Sequence, residues 1–165
     1  MTAAATKVHV LNGPNLDLLG VREPGVYGTG TLDDLRRHCE QAAAALGLEA
    51  DVRQSNHEGE LIDWVHEAGR EAATGASVGA VLNLGAYTHT SIALRDAVSG
   101  VSLPVVEVHL SNVHAREAFR GHSYLAPVAI GVIAGLGPDG YTYAIDALAR
   151  RGMALSIRAG VRNGT

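Results

Sequence analysis

At 165 residues, with 47% hydrophobic and 18% charged side chains, the chain suits one packed domain rather than a disordered or multidomain protein. Its net charge of −4 argues against a dedicated nucleic-acid binder, and no apolar stretch approaches the roughly 18 residues of a membrane span. A single cysteine, Cys39, excludes an intrachain disulfide and leads us to expect a reduced, cytoplasmic setting, and the sole lysine, Lys7, argues against phosphate-loop NTPases and Schiff-base enzymes.

The first seven residues lack a basic and an apolar region, so no secretory leader is expected. Val8–Leu11 reads as a short strand, stopped by Asn12-Gly13-Pro14-Asn15. A glycine-rich loop follows, carrying Gly20, Gly25, Gly28 and Gly30. Thr31 is placed to cap a helix whose stripe is Leu32, Leu35, Cys39, Ala42 and Leu46, with Gly47 as its stop. Ala50–Gln54 reads as a second strand, and Ser55 with Glu58 has the spacing of a capping box for the next helix. Ala80–Leu84 is a nearly continuous apolar strand, as expected of one covered on both faces. A helix is expected from about Thr90 to Val98, a fourth strand over Pro104–Leu110, a fifth over Val128–Ile133, and a last helix from about Pro138 to Arg150. The core is expected over about 7–150 of a single catalytic domain spanning 1–165. The tail after Arg150, rich in arginine, is expected to be flexible.

Strands and helices alternate five times. That pattern predicts an α/β three-layer sandwich of the flavodoxin-like type, with a five-stranded parallel sheet in the order 2-1-3-4-5. Ligands of such sheets sit beyond the carboxyl ends of the strands. Those ends carry Asn12 and Asn15; Ser55 to Glu58; Asn83 and Tyr87 to Ser91; and Glu107, His109, Ser111, Asn112, His114, Arg116 and Arg120.

Glu107 and His109 are two apart in a strand and so share a face. A carboxylate beside an imidazole fixes its tautomer and favours its charged form, which prepares a general acid or base. A buried pair that only satisfies itself is the alternative. Arg22 and Tyr27 share the glycine-rich loop, where a guanidinium would favour a phenolate base; a tyrosine merely stacked on an arginine is the alternative. The glycines would let that loop act as a lid. Asn83, His89, Ser111 and Arg120 read as substrate clamps, whereas Asp96 reads on its own as a solvent-facing helix charge. Gly135-Leu136-Gly137-Pro138-Asp139-Gly140 fits a dinucleotide fingerprint, but it opens the final helix and reads as a turn. Scattered histidines and the absence of H-E-x-x-H or C-x-x-C argue against a metal site.

Four blocks carry a family resemblance: Leu11–Leu16 with Gly20-x-Arg22-Glu23-Pro24-x-x-Tyr27-Gly28; Gln54–Gly59; Gly85–Ser91; and Glu107–Asn112 with Arg116-Glu117-x-Phe119-Arg120. From about Val8 to Leu148 the chain resembles type II 3-dehydroquinate dehydratase. The resemblance implies a metal-free, cofactor-free dehydration of 3-dehydroquinate to 3-dehydroshikimate through an enolate, in the shikimate pathway or in quinate breakdown. It also implies a dodecamer of four trimers, acting without nucleic acid or membrane. Tyr27 would be the base, Arg22 would stabilise the phenolate and the transition state, and Asn15 would hold a water at the enolate oxygen. His109 would be the acid, and Glu107 its orienting partner. Asn83, His89, Leu110, Ser111 and Arg120 would contact substrate, and Asp96 would come from a neighbouring subunit. Leu84 stands where the family has proline, Asp17 where asparagine is common, and Gly121 where a bulky residue is frequent. A non-catalytic flavodoxin-like module that binds a small anion is the alternative function.

Overall fold

Apolar residues at strand spacing alternate with apolar stripes at helical spacing, and the two kinds of face bury each other. In the computed structural model, which describes residues 5–21, Gly25 and residues 28–162 with side chains through residue 154, this produces three layers. The strands are β1 (Lys7–Asn12), β2 (Glu49–Gln54), β3 (Ser77–Asn83), β4 (Val105–His109) and β5 (Gly131–Ala134). They pair in parallel in the order β2-β1-β3-β4-β5, as the alternation predicts. The helices are α1 (Leu32–Ala44), α2 (Glu58–Ala73), α3 (Ile92–Gly100) and α4 (Asp139–Arg162). Among the described residues no helix is long and apolar enough to cross a membrane.

Strand alternation divides the core in two. Val8, Val10, Val81, Val106 and Val108 face α1 and α4, meeting Leu35, Cys39, Tyr141, Ile145 and Leu148. Leu11, Ala80, Leu82 and Val105 face α2 and α3, meeting Leu61, Val65, Leu94 and Val98. Each fully buried leucine or valine contributes about 1.5–3 kcal/mol over leaving it in water. Cys39 belongs to this core, and burial pushes its thiol up to about 12, so it is packing rather than a nucleophile.

Several local expectations are met by specific bonds. The Thr31 hydroxyl accepts from the Asp34 N–H at 3.2 Å, and the Asp34 carboxylate accepts from the Thr31 N–H at 2.9 Å, a reciprocal cap for α1. Gly135 and Gly137 both take positive φ in the turn before α4, where Gly137 N–H donates to the Leu110 carbonyl at 3.0 Å; the glycine motif is a turn.

Other details differ. Ser55 does not pair with Glu58: its hydroxyl accepts from the His57 N–H and donates to Glu60, two residues further on. β5 starts at Gly131 rather than Val128, because Ala126-Pro127-Val128 forms a 3-10 turn. A separate 3-10 turn over Gly85–His89 precedes α3, which is capped by Ser91. α4 overruns the expected end at Arg150 and continues to Arg162.

The register places Asn12 opposite Asn83, so β1 and β3 end level with each other. There Gly13 presses on the neighbouring chain. Its N–H donates to the Asn83 carbonyl at 2.7 Å, and a Cβ at this position would stand 2.4 Å from the Leu84 carbonyl oxygen. Gly13→Ala is therefore expected to cost about 1–3 kcal/mol through forced backbone movement. A lowered urea midpoint checks this; an unchanged midpoint contradicts the close approach.

Candidate active site

Beyond the carboxyl ends of β1, β3 and β4 lies a cavity with about 670 Å³ of open space including its mouth. Its wall brings together Asn15, Asn83, His89, His109, Ser111 and Arg120, with Leu110 beside them, from four separate stretches of sequence. Seven of the residues singled out in the sequence thus share one cavity. Glu107 stands behind His109 and is fully buried. Asp96 does not reach this cavity; it is exposed on α3 and pairs with Arg95 at 3.0 Å. Arg22 and Tyr27 lie outside the described residues.

The local fold explains each placement. Asn15 adopts a left-handed backbone, φ 66°, at the start of the 3-10 turn Leu16–Leu18, a conformation asparagine tolerates better than most residues. Its N–H donates to Asn56 Oδ1 at 2.9 Å, and Asn56 is held in turn by the Gln54 amide at 3.1 Å and, through its carbonyl, by the Tyr87 hydroxyl at 2.8 Å. The polar block after β2 is thereby a brace for Asn15.

Asn83 is almost fully buried at the end of β3. Its amide donates to the Tyr141 hydroxyl at 2.8 Å, and that hydroxyl donates to Asn12 Oδ1 at 2.7 Å. Asn83 Oδ1 accepts from the Gly85 N–H at 3.3 Å, so the amide is clamped at both ends even with Leu84 in place of proline. Burial pushes the Tyr141 phenol well above its ordinary range, so it remains a neutral donor. Tyr141→Phe leaves two buried amides short of a partner, and is expected to cost about 1–3 kcal/mol. Urea denaturation reads this, and full wild-type stability would show the bridge to be idle.

Glu107 and His109 project from the same face of β4, as their spacing predicts. His109 Nε2 lies 2.7 Å from Glu107 Oε1, so Nε2 carries the shared proton and Nδ1 is the nitrogen left for the cavity. Burial pushes the Glu107 carboxyl up, but hydrogen bonds from His109, Thr88 and Ser123 and the charge of the imidazole outweigh it and hold the group below the usual carboxylate range. His89 lies across from this pair, its ring stacked at 11° and 6.2 Å on that of His109, with Nδ1 fixed by the His122 carbonyl at 2.7 Å. Arg120 is tethered by Glu117 at 2.8 Å.

Sequence reading gave four contributors no role. Arg116 lines the cavity and donates to the Ser111 hydroxyl at 3.4 Å; its place in the polar stretch after β4 was the available signal. Tyr141 shares helical spacing with the apolar Ala144, Ile145 and Leu148 of the last helix, which reads as core packing. Thr88 and Ser123 had no signal beyond residue type. Among the described residues, no three His, Cys, Asp or Glu side chains gather as a metal site would require. The chain's one lysine, Lys7, sits at the opposite end of β1, roughly 17 Å from the cavity by strand rise, and pairs with Glu71 at 3.0 Å.

The arrangement can hold a small anion against arginine and asparagine while an imidazole with a fixed tautomer meets it from β4. Known proteins are similar to this chain. The family described as Dehydroquinase class II matches residues 6–149. A protein of Variovorax paradoxus named 3-dehydroquinate dehydratase is 63% identical over 142 residues, covering 86% of this chain and 97% of that one. A Ralstonia nicotianae protein named 3-dehydroquinate dehydratase 2 is 59% identical, covering 87% of this chain and 93% of that one. The crystal structure of type II dehydroquinase from Propionibacterium acnes superposes with a TM-score of 0.82 at 42% identity, covering 90% of this chain and 99% of that chain. The one from Butyrivibrio crossotus gives 0.81 at 43%, covering 88% and 99%. The non-catalytic alternative gains nothing from these matches. Fold, cavity and relatives agree, and the chain belongs to the type II dehydroquinase family.

Proposed function

We propose that this chain removes water from 3-dehydroquinate to give 3-dehydroshikimate. The observation that carries the reading is the buried Glu107 behind His109, in one cavity with Asn83, His89, Ser111 and Arg120. The substrate's C2 proton lies next to a ketone, and its C1 hydroxyl is a poor leaving group. Tyr27, as a phenolate stabilised by Arg22, takes the C2 proton; the electron pair moves onto the ketone oxygen as an enolate. A water held by Asn15 donates to that oxygen. The enolate then collapses, the C1–C2 double bond forms, and His109 gives its proton to the departing hydroxyl, which leaves as water. A proton passes back from the Tyr27 phenol to His109 through solvent, and Glu107 stays ionised throughout. Asn83, His89, Arg120 and the Leu110–Ser111 backbone hold the ring and its carboxylate.

The same reading has Asp96 of one subunit reaching a neighbour's cavity in a dodecamer of four trimers, working in the cytoplasm. Its exposed position on α3, outside its own cavity, supports this. Light scattering should then return twelve times the 17.1 kDa chain mass.

The function itself is tested by adding 3-dehydroquinate to the purified protein and following the ultraviolet absorbance of the conjugated enone. Absorbance that rises in proportion to enzyme is expected; no rise contradicts the reading. Borohydride added with substrate should leave the enzyme active and unlabelled, because Lys7 is too far away to form an imine.

A further inference from the structure

We infer that Thr88 and Ser123 are positioning residues that keep Glu107 ionised and aimed at His109, a proposal that rests on reading Glu107 and His109 as the acid pair. A carboxylate removed from water takes up a proton unless charges or donors hold it as an anion. Glu107 is fully buried, and the ion pair it makes among the described residues is with His109, itself titratable. If Glu107 took the shared proton, a neutral acid would face a neutral imidazole, whose remaining N–H is a far weaker acid toward the leaving group than an imidazolium.

The donors are two hydroxyls. Thr88 Oγ1 donates to Glu107 Oε1 at 2.6 Å. Ser123 Oγ lies 2.9 Å from both carboxylate oxygens. Ser123 Oγ already accepts from the Leu125 N–H at 3.1 Å and the Ala126 N–H at 2.9 Å, which uses both lone pairs, so the serine must donate its one proton. The ionised carboxylate at 2.9 Å is a nearer and stronger acceptor than the Thr88 hydroxyl at 3.1 Å, which itself donates to Glu107. Thr88 is buried, so water cannot readily take its place.

The two hydroxyls also tie the acid pair to the substrate wall. Thr88 precedes His89, and Ser123 follows His122, whose carbonyl fixes the His89 ring. The Tyr124 N–H donates to the Thr88 carbonyl at 2.9 Å, closing the stitch. The charged and titratable groups facing the pair among the described residues are His89 from the 3-10 turn and Arg116 and Arg120 across the cavity. Strands β3 and β5 on either side of β4 carry no titratable residue. The hydroxyls are therefore the fixed donors in direct contact with the carboxylate.

Thr88→Val, Ser123→Ala and the double variant test this, with Thr88→Ser as the conservative control. Infrared titration follows the buried carboxylic-acid band, assigned by its loss in Glu107→Gln. Losing a donor destabilises the anion, so the protonation midpoint moves up, by about one pH unit per hydroxyl. With it, kcat falls by up to roughly tenfold per hydroxyl at pH below the wild-type midpoint and is unchanged well above it, while KM stays within about twofold. Thr88→Ser behaves as wild type. A midpoint that does not move, or a loss that appears only in thermal stability, overturns the proposal. If the wild-type protein fails to dehydrate 3-dehydroquinate, the functional reading fails separately, and the infrared titration still decides what the hydroxyls do. Where the double variant does not fold, the single variants decide it.

Discussion

Tyr27→Phe is expected to lower kcat by roughly 10²- to 10⁴-fold while a substrate-shaped anion still binds within about twofold of wild type. On the proposed mechanism, losing the phenolic oxygen removes the base and leaves the clamps intact. A free tyrosine titrates near pH ~10, and a guanidinium beside it can lower that by ~1–3 units, enough to populate the phenolate at neutral pH. Tyr27 and Arg22 lie outside the described residues, but the chain that carries them is anchored on both sides. Leu19 lines the cavity, and a Cβ on Gly20 would stand 3.2 Å from the Thr29 carbonyl oxygen, so the two ends of this stretch meet. Gly20 and Gly28 both take positive φ at those ends, which a side chain would resist. Single-turnover kinetics with a binding titration separates the effects. Turnover near wild type would place the base elsewhere.

His109→Asn should cost a similar factor of about 10² to 10⁴ in kcat, because the hydroxyl must then leave without its proton. Substrate affinity should change little, since Asn83, Arg120 and Ser111 remain. The pH dependence follows from Glu107. Its carboxyl is held below the usual range, so the anion persists as pH falls through ~4.3, where an ordinary glutamate would protonate. The sign for stability is the same. A depressed folded-state value contributes stability above the unfolded value, and that contribution is lost as pH falls through the folded one. Glu107→Gln should therefore flatten the acid side of the unfolding profile, read by urea denaturation across pH.

The sheet order was legible because alternation of strand and helix, handed crossovers and strand-end polarity are all local patterns. The Glu107–His109 contact was legible for the same reason: two residues apart in β4 means one face, and the 2.7 Å contact follows. What sequence could not show depends on contacts between distant segments. Tyr141 meets Asn12 across 129 positions, and its hydroxyl is indistinguishable in sequence from a phenol at the end of an apolar stripe. Thr88 and Ser123 lie 19 and 16 positions from Glu107, on a turn and a loop whose paths no periodicity encodes. Ser55 was read at capping-box spacing, yet the N-cap position of α2 falls at His57, two residues later, and the Ser55 hydroxyl goes to Glu60. Asp96 illustrates the other limit: the proposed role in a neighbouring subunit would leave it looking, in sequence, like any solvent-facing charge.

The division of labour between a phenolate that takes the C2 proton and an imidazole that protonates the leaving hydroxyl is best tested by exchange in heavy water. With 3-dehydroquinate and His109→Asn in D₂O, proton NMR should show the substrate's C2 position exchanging for deuterium with almost no product formed, while Tyr27→Phe should show neither exchange nor product. Exchange that persists in Tyr27→Phe, or product formed by His109→Asn at the wild-type rate, would contradict the account.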